Sequence, residues 1–167
     1  MNSGGKKSPI PDETAMAVLD SCRQLVSLVH TASRASEKQL GLSAAQLYVL
    51  QKMRAIDTAV SIGDLAVLTR THQSSVSVVV KKLVLKKLLV SRPAPLDARK
   101  LELRVTDKGK KTLENAPEAV QDRLIRAIKT LSSEDGQALH ALLQTVLEKA
   151  EGLSHPVRLF LEDEGSI

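Results

Sequence analysis

The stretch HQSSVSVVVKKL, His72–Leu83, holds three serines, four valines and two lysines in twelve residues and can be read as a strand or as a helix. As a strand it would put Val76, Val78 and Val80 on one face and leave Val79 among the serines on the other. As a helix, at roughly 100° per residue, it gathers Val76, Val79, Val80 and Leu83 at i, i+3, i+4 and i+7, within about a third of the circumference. The run also continues through KKLVLKKLLV, beyond the length of an ordinary strand. Valine costs a few tenths of a kcal/mol per residue in a helix, which is small beside roughly 1.5 to 3 kcal/mol for burying each of three valines and a leucine. The spacing therefore predicts a helix whose outer face carries Ser74, Ser77, Val78 and Lys81, flanked by Gln73, Ser75 and Lys82.

Upstream, GLSAAQLYVLQKM places Ser43 and Gln46 three apart as a capping box that opens one helix, and VSIGDLAVL repeats the device with Ser61 and Asp64. In the second of these, Ile62, Leu65, Ala66 and Leu68 are expected to face the core. Two short helices separated by a few polar residues outline a helix-turn-helix. Downstream, LLVSR reads as a strand, PAPLDARK as a proline-containing turn, and LELRVT as a strand with Leu101, Leu103 and Val105 inward and Glu102 and Arg104 outward. Two strands joined by a basic loop after a helix-turn-helix make a wing. Thr106 then caps a helix beginning DKGKKTL, which Pro117 kinks or restarts. Ser132 or Ser133 caps a last helix with the stripe Leu139, Leu142, Leu143, Val146 and Leu147.

Charge follows the same map. Residues 70–111 hold twelve Lys and Arg against three Asp and Glu, a surplus of nine, whereas the whole chain of 167 residues carries only +5. A basic middle between mildly acidic ends is the footprint of a polyanion-binding surface, although a merely solvated lysine-rich face has the same composition. The order of the elements separates the two readings. Short hydroxyls near a helix N-terminus can bond phosphates or base edges, lysines a turn or two later can neutralise phosphates, and the helix dipole favours the anion. In the wing, Asp97 could hold the loop while Arg99, with Lys100 beside it, enters a minor groove.

The remaining segments bound the architecture. With 43% hydrophobic residues but only 1% aromatic, the core must be built from Leu, Val, Ile and Ala, which favours helices. Residues 1–12 read as a disordered tail and 13–41 as one long amphipathic helix with the stripe Val18, Leu19, Cys22, Leu25, Val26 and Val29. The winged helix-turn-helix spans 42–109, C-terminal helices span 110–153, and 154–167 form an acidic tail. The fold class is thus mainly α with a small β wing. The single cysteine excludes an intramolecular disulfide framework, and no apolar run approaches the roughly 18 to 20 residues that span a bilayer, so a cytoplasmic protein with no membrane partner is expected. The four histidines are dispersed, with no HExxH, CxxC or phosphate-loop pattern, so neither an enzyme nor a metal or cofactor site is expected.

In order and gap length, LSAAQLYVL, SIGDLA, QSSVSVVVKKL, LLVSR and D-x-R-K followed by VTDKG resemble the MarR-type winged helix-turn-helix regulators. The resemblance implies a homodimeric transcriptional repressor in which the N- and C-terminal helices interlock. It implies further that the recognition helix occupies a major groove of a pseudo-palindromic double-stranded DNA operator, through Ser74, Ser75, Ser77, Lys81 and Lys82, with Arg99 in the adjacent minor groove. Four positions depart from the family pattern: Val78 and Ala98 stand where relatives often have arginine, and Arg70 and Lys87 where they often have glycine. Relatives often release DNA on binding a small lipophilic or phenolic anion, and the corresponding places here are His30, Arg34 and Tyr48. Cys22 lies one turn before the position used by the peroxide-sensing branch of the family, where this chain has Val26, so a structural thiol is favoured over a redox switch. A winged-helix adaptor that binds protein rather than DNA is the alternative from another class.

Overall fold

A core of leucine and valine with almost no aromatic mass is most readily closed by packing helix against helix. The computed structural model, which describes residues 9–56, 58–94 and 97–151, does this with seven helices and one β-hairpin. Helix α1 (Asp12–Leu40) ends at Gly41, whose left-handed conformation (φ 67°) lets its N–H reach the Glu37 carbonyl. Helix α1 begins inside the expected tail, and residues 1–8 and 152–167 lie outside the described ones.

Helix α2 (Ala44–Arg54) is buried on nearly every side and acts as the central strut. Ser43 caps it as expected, accepting from the Gln46 N–H. Gln46 does not return the bond. Its side-chain oxygen instead accepts from Lys86 (2.8 Å), whose ammonium also bonds the Gly41 carbonyl. The expected capping box is therefore half formed, because a cation from a distant helix captures its second member. Helix α3 (Ile62–Thr69) carries the complete box, with Ser61 and Asp64 bonding each other's backbone N–H. Leu65 and Ala66 reach the core, but Leu68 is exposed.

Helix α4 (Gln73–Leu85) confirms the helical reading of the decisive stretch. Val76, Val79, Val80 and Leu83 are buried together with Leu50 of α2 and Leu65 of α3. Strands β1 (Leu89–Ala94) and β2 (Asp97–Val105) pair antiparallel from Leu89–Val105 to Ala94–Asp97. The hairpin is longer than expected, since most of PAPLDARK is strand rather than turn. Pro93 is tolerated because β1 is an edge strand, which need not donate on its outer side. Leu103 is buried, but Leu101 is 45% exposed, because the hairpin has by then grown past the core it packs on. A one-residue bridge from Val60 to Leu103 adds the third element of the sheet.

Helix α5 (Asp107–Thr112) is capped by Thr106, which also bonds the carbonyls of Lys87 and Leu88. Gly109 sits so close to β1 that a Cβ there would collide with the Leu88 carbonyl oxygen and would stand 2.8 Å from a Val105 methyl. The chain restarts after Pro117 in α6 (Val120–Ile128), and Ser132 caps α7 (Ser133–Glu151). A second apolar cluster, Val29, Ala44 and Val120 with Leu28, Ala32 and Leu124, fastens α1 and α6 to α2.

The junction of α2 and α6 is polar at its edge. Gln51 accepts from the Ala119 N–H and donates to the Pro117 carbonyl. Lys52 pairs with Asp122 at 2.6 Å and lies 5.1 Å from the centre of the Tyr48 ring. Burial, which disfavours the phenolate, pushes the Tyr48 pKa above its ordinary 10.0; Lys52 opposes the shift and Asp122 adds to it. A raised folded-state pKa means that the neutral phenol's contribution to stability is present below the ordinary tyrosine range and is lost as pH rises through the folded value. Because Tyr48 is the only tyrosine, ultraviolet titration of the phenolate reports it alone. The midpoint should lie above 10.0 and move higher in Lys52→Ala, and a midpoint at or below 10.0 would contradict this environment.

Candidate nucleic-acid interface

Helix α3, a tight turn and α4 form the helix-turn-helix. The turn depends on Arg70, which takes a left-handed conformation (φ 54°) that glycine adopts more readily, and Lys87 does the same after α4 (φ 61°). These are two of the positions where the sequence departs from the family pattern, and both take the left-handed backbone in this chain. Each costs on the order of 1 kcal/mol. Bonds that close the helix ends offset the cost: Thr71 N–H to the Ala66 carbonyl after α3, and Lys87 N–H to Val84 and Leu88 N–H to Leu83 after α4. Thr69 and Thr71 hydroxyls, 2.7 Å apart, tie the turn laterally.

With the valine stripe locked inward, geometry decides which side chains point away. Gln73, Ser74, Val78 and Lys81 are exposed, and Ser77 and Lys82 are half-buried. Ser75 is only 4% exposed and lies on the stripe side, next to Val76 and one turn before Val79. The expectation that Ser75 faces a groove is therefore corrected: burial takes it out of the outer face. Val78, 42% exposed, stands among the polar groups as the wheel predicts. The Gln73 amide folds back over α3, with its nitrogen 2.9 Å from where a Cβ on Gly63 would be.

Among the four helices from α2 to α5, α4 is the one whose N-cap residue, here His72, makes no side-chain capping bond; Ser43, Ser61 and Thr106 cap the others. Its first-turn N–H groups thus lack the side-chain acceptor that serves its neighbours, and the positive end of the helix dipole meets the exposed Ser74 hydroxyl. Arg99 and Lys100 lie in β2, and their side chains fall outside the described residues. Arg92, exposed on β1, is paired in register with Glu102.

The other expected sites are separate from this face. His30 and Arg34 are exposed on α1, whereas Tyr48 is buried in α2. Among the described residues no hydrogen bond, ion pair or ring contact joins the three. Cys22 is half-exposed on α1, amid the exposed Val18, Leu19, Leu25 and Val26. Among the described residues there is no group of three or more metal-ligating side chains, and no helix is long and apolar enough to cross a membrane.

Two features of the interface escaped sequence reasoning. Lys86 was part of a general lysine surplus, yet its bonds to Gly41 and Gln46 fasten the end of α4 to the α1–α2 corner. Lys108 does the same from α5, bonding the Lys86 carbonyl at 2.9 Å. Spacing along the chain carries no signal for contacts between residues so far apart.

Residues 40–100 match the MarR family model. No curated protein sequence matches the chain. The fold is similar to those of several solved proteins. MepR of S. aureus, in a complex with DNA, is 18% identical over 84% of this chain and 99% of its own, with a TM-score of 0.56. BldR of Sulfolobus solfataricus is 20% identical over 83% and 96%, with a TM-score of 0.53. Bordetella bronchiseptica BpsR, whose DNA binding is regulated by 6-hydroxynicotinic acid, is 22% identical over 84% and 99%, with a TM-score of 0.56. Residues 40–100, which carry the helix-turn-helix and most of the wing, thus match the MarR family, and the fold built around them is that of these winged helix-turn-helix proteins.

Proposed function

We propose that the protein is a sequence-specific double-stranded DNA-binding repressor that acts as a homodimer. The observation that carries the reading is the outward face of α4: Ser74, Ser77, Val78 and Lys81 stand opposite a buried valine stripe on a helix whose N-terminus has no side-chain cap. In this reading α4 lies in a major groove, with Gln73, Ser74, Ser77 and Val78 toward base edges and Lys81 and Lys82 toward phosphates. Val78 then packs on a thymine methyl. Arg99 and Lys100 of the wing serve the adjacent minor groove.

The ends of the chain support a dimerisation region made of residues 13–41 and 110–153. Along α1, Val18, Leu19, Leu25 and Val26 are exposed in the single chain, and along α7 every apolar residue of the stripe is exposed, Leu142 at 65%. Monomeric proteins rarely leave two long apolar stripes in water, and two copies interlocking through them would cover both. The half-exposed Cys22 would then lie within that interface. Control of DNA binding by a small organic anion completes the reading, as it does for BpsR.

Selection from random or genomic DNA should return a pseudo-palindromic site with half-sites about one helical turn apart, and affinity should fall steeply with salt. Lys81→Ala should weaken binding to all sequences and lower the salt slope by roughly one, whereas Val78→Ala should relax preference at one base pair and Arg99→Ala should weaken the selected site. A protein with no preference for any site would instead favour a protein-binding adaptor. For the dimer, Leu142→Glu with Val146→Glu should convert the protein to a folded monomer in sedimentation and abolish tight operator binding. A dimer that persists in that variant would contradict the proposed interface.

A further inference from the structure

Glycine at position 63 has no backbone reason to be there. It is the second residue of α3, where an ordinary helical backbone accepts any side chain, and among the described glycines only Gly41 has a positive φ. Glycine is also among the weakest helix formers. What it supplies is room. A Cβ on Gly63 would stand 2.9 Å from the Gln73 side-chain nitrogen and 3.5 Å from the Ser61 hydroxyl oxygen. Among the described residues, no other group outside the helix's own backbone and the chain neighbours of Gly63 comes within 4 Å of that point.

Gln73 is the first residue of α4, and it is exposed. Burial does not hold an exposed glutamine, whose long side chain loses much rotamer freedom when it is fixed. Here the amide lies across the first turn of α3 and fills the space that a side chain at position 63 would take. That turn is itself tied down, since Ser61 and Asp64 close the capping box through bonds of 2.8, 2.9 and 3.1 Å. The first turns of the two helices therefore meet through one amide resting on one glycine.

We infer that Gly63 is a positioning residue for base reading: it leaves a seat on α3 that presets the Gln73 amide, and the amide reads an adenine in the half-site. The inference rests on the proposed DNA-binding role of α4 and deepens it by naming one base and what aims its reader. Glutamine suits adenine because its oxygen accepts from the N6 amino group while its nitrogen donates to N7. Both bonds form only when the amide meets the base edge in one orientation. A side chain already held in place gives up less freedom on contact than one that samples all its rotamers. Alanine at position 63 removes the seat at small cost to the fold, because the group in its way is the far end of a flexible side chain and the helix gains propensity.

The test compares the full chain with Gly63→Ala, Gln73→Ala and the double variant. In the free protein, NMR should show nuclear Overhauser contacts between the Gln73 side-chain amide protons and the Gly63 α protons. On the selected duplex, one A·T pair in each half-site should be preferred over its substitutions by roughly tenfold or more, and Gln73→Ala should abolish that preference. Gly63→Ala should melt no lower than the unaltered protein yet lose roughly two- to tenfold of the preference at the same pair, and it should change nothing once Gln73 is alanine. A loss confined to that pair, with the salt slope unchanged, is a result that a merely structural role of Gly63 would not give. The inference is overturned if the amide makes no contact with Gly63 in the free protein, if Gly63→Ala keeps the full preference or weakens all sequences alike, or if the two single effects add in the double variant. A chain that selects no site at all overturns the DNA-binding role of α4 and the base contact together, whereas a selected site that Gly63→Ala reads unchanged overturns the seat alone.

Discussion

The burial of one stripe, Val76, Val79, Val80 and Leu83, against α2 and α3 is the constraint from which the rest of the interface follows. A helix has a single rotational setting that places four such residues in a core, so fixing the stripe also fixes what points away. Each of these side chains contributes roughly 1.5 to 3 kcal/mol by burial, whereas no polar group on the outer face gains comparably from folding. The outer face is therefore free to be chosen for contact with something else. Ser75 marks the boundary of that freedom: one step along the helix moves a serine from the exposed face into the core.

Rotation alone does not position a reading helix, and the fold adds fasteners at its far end. Lys86 ties the end of α4 to Gly41 and Gln46, while Lys87 turns the chain directly into the wing. Thr106, Lys108 and Gly109 then lock the start of α5 against the same turn. Helix α4, the wing and the corner of the long N-terminal helix thus meet within a few residues. The Lys86 ammonium joins the end of α4 to the corner between α1 and α2.

Much of this was legible in the sequence because it is local. Caps at Ser43, Ser61 and Thr106, the stop at Gly41, the helical reading of His72–Leu83 and the two strands all depend on residues within about one or two turns of one another, where periodicity carries the signal. The failures have a common cause in contacts between distant segments. Gln46 looked like a box partner until Lys86, forty residues later, took its side chain. Leu101 alternates correctly but lies past the edge of the core, and Val60 pairs with Leu103 without any strand pattern around it. Arg70 and Lys87 stand out in the sequence as cations where related proteins often have glycine, and both take a left-handed backbone that the sequence alone does not reveal.

The central claim is that α4 presents Val78 and its polar neighbours to DNA while the other valines hold the helix in place. Valine-methyl NMR of the protein titrated with its selected operator duplex tests this residue by residue. The account predicts a large shift for Val78 and little change for Val76, Val79 and Val80. Equal or larger shifts at the three buried valines, with Val78 unmoved, would contradict it.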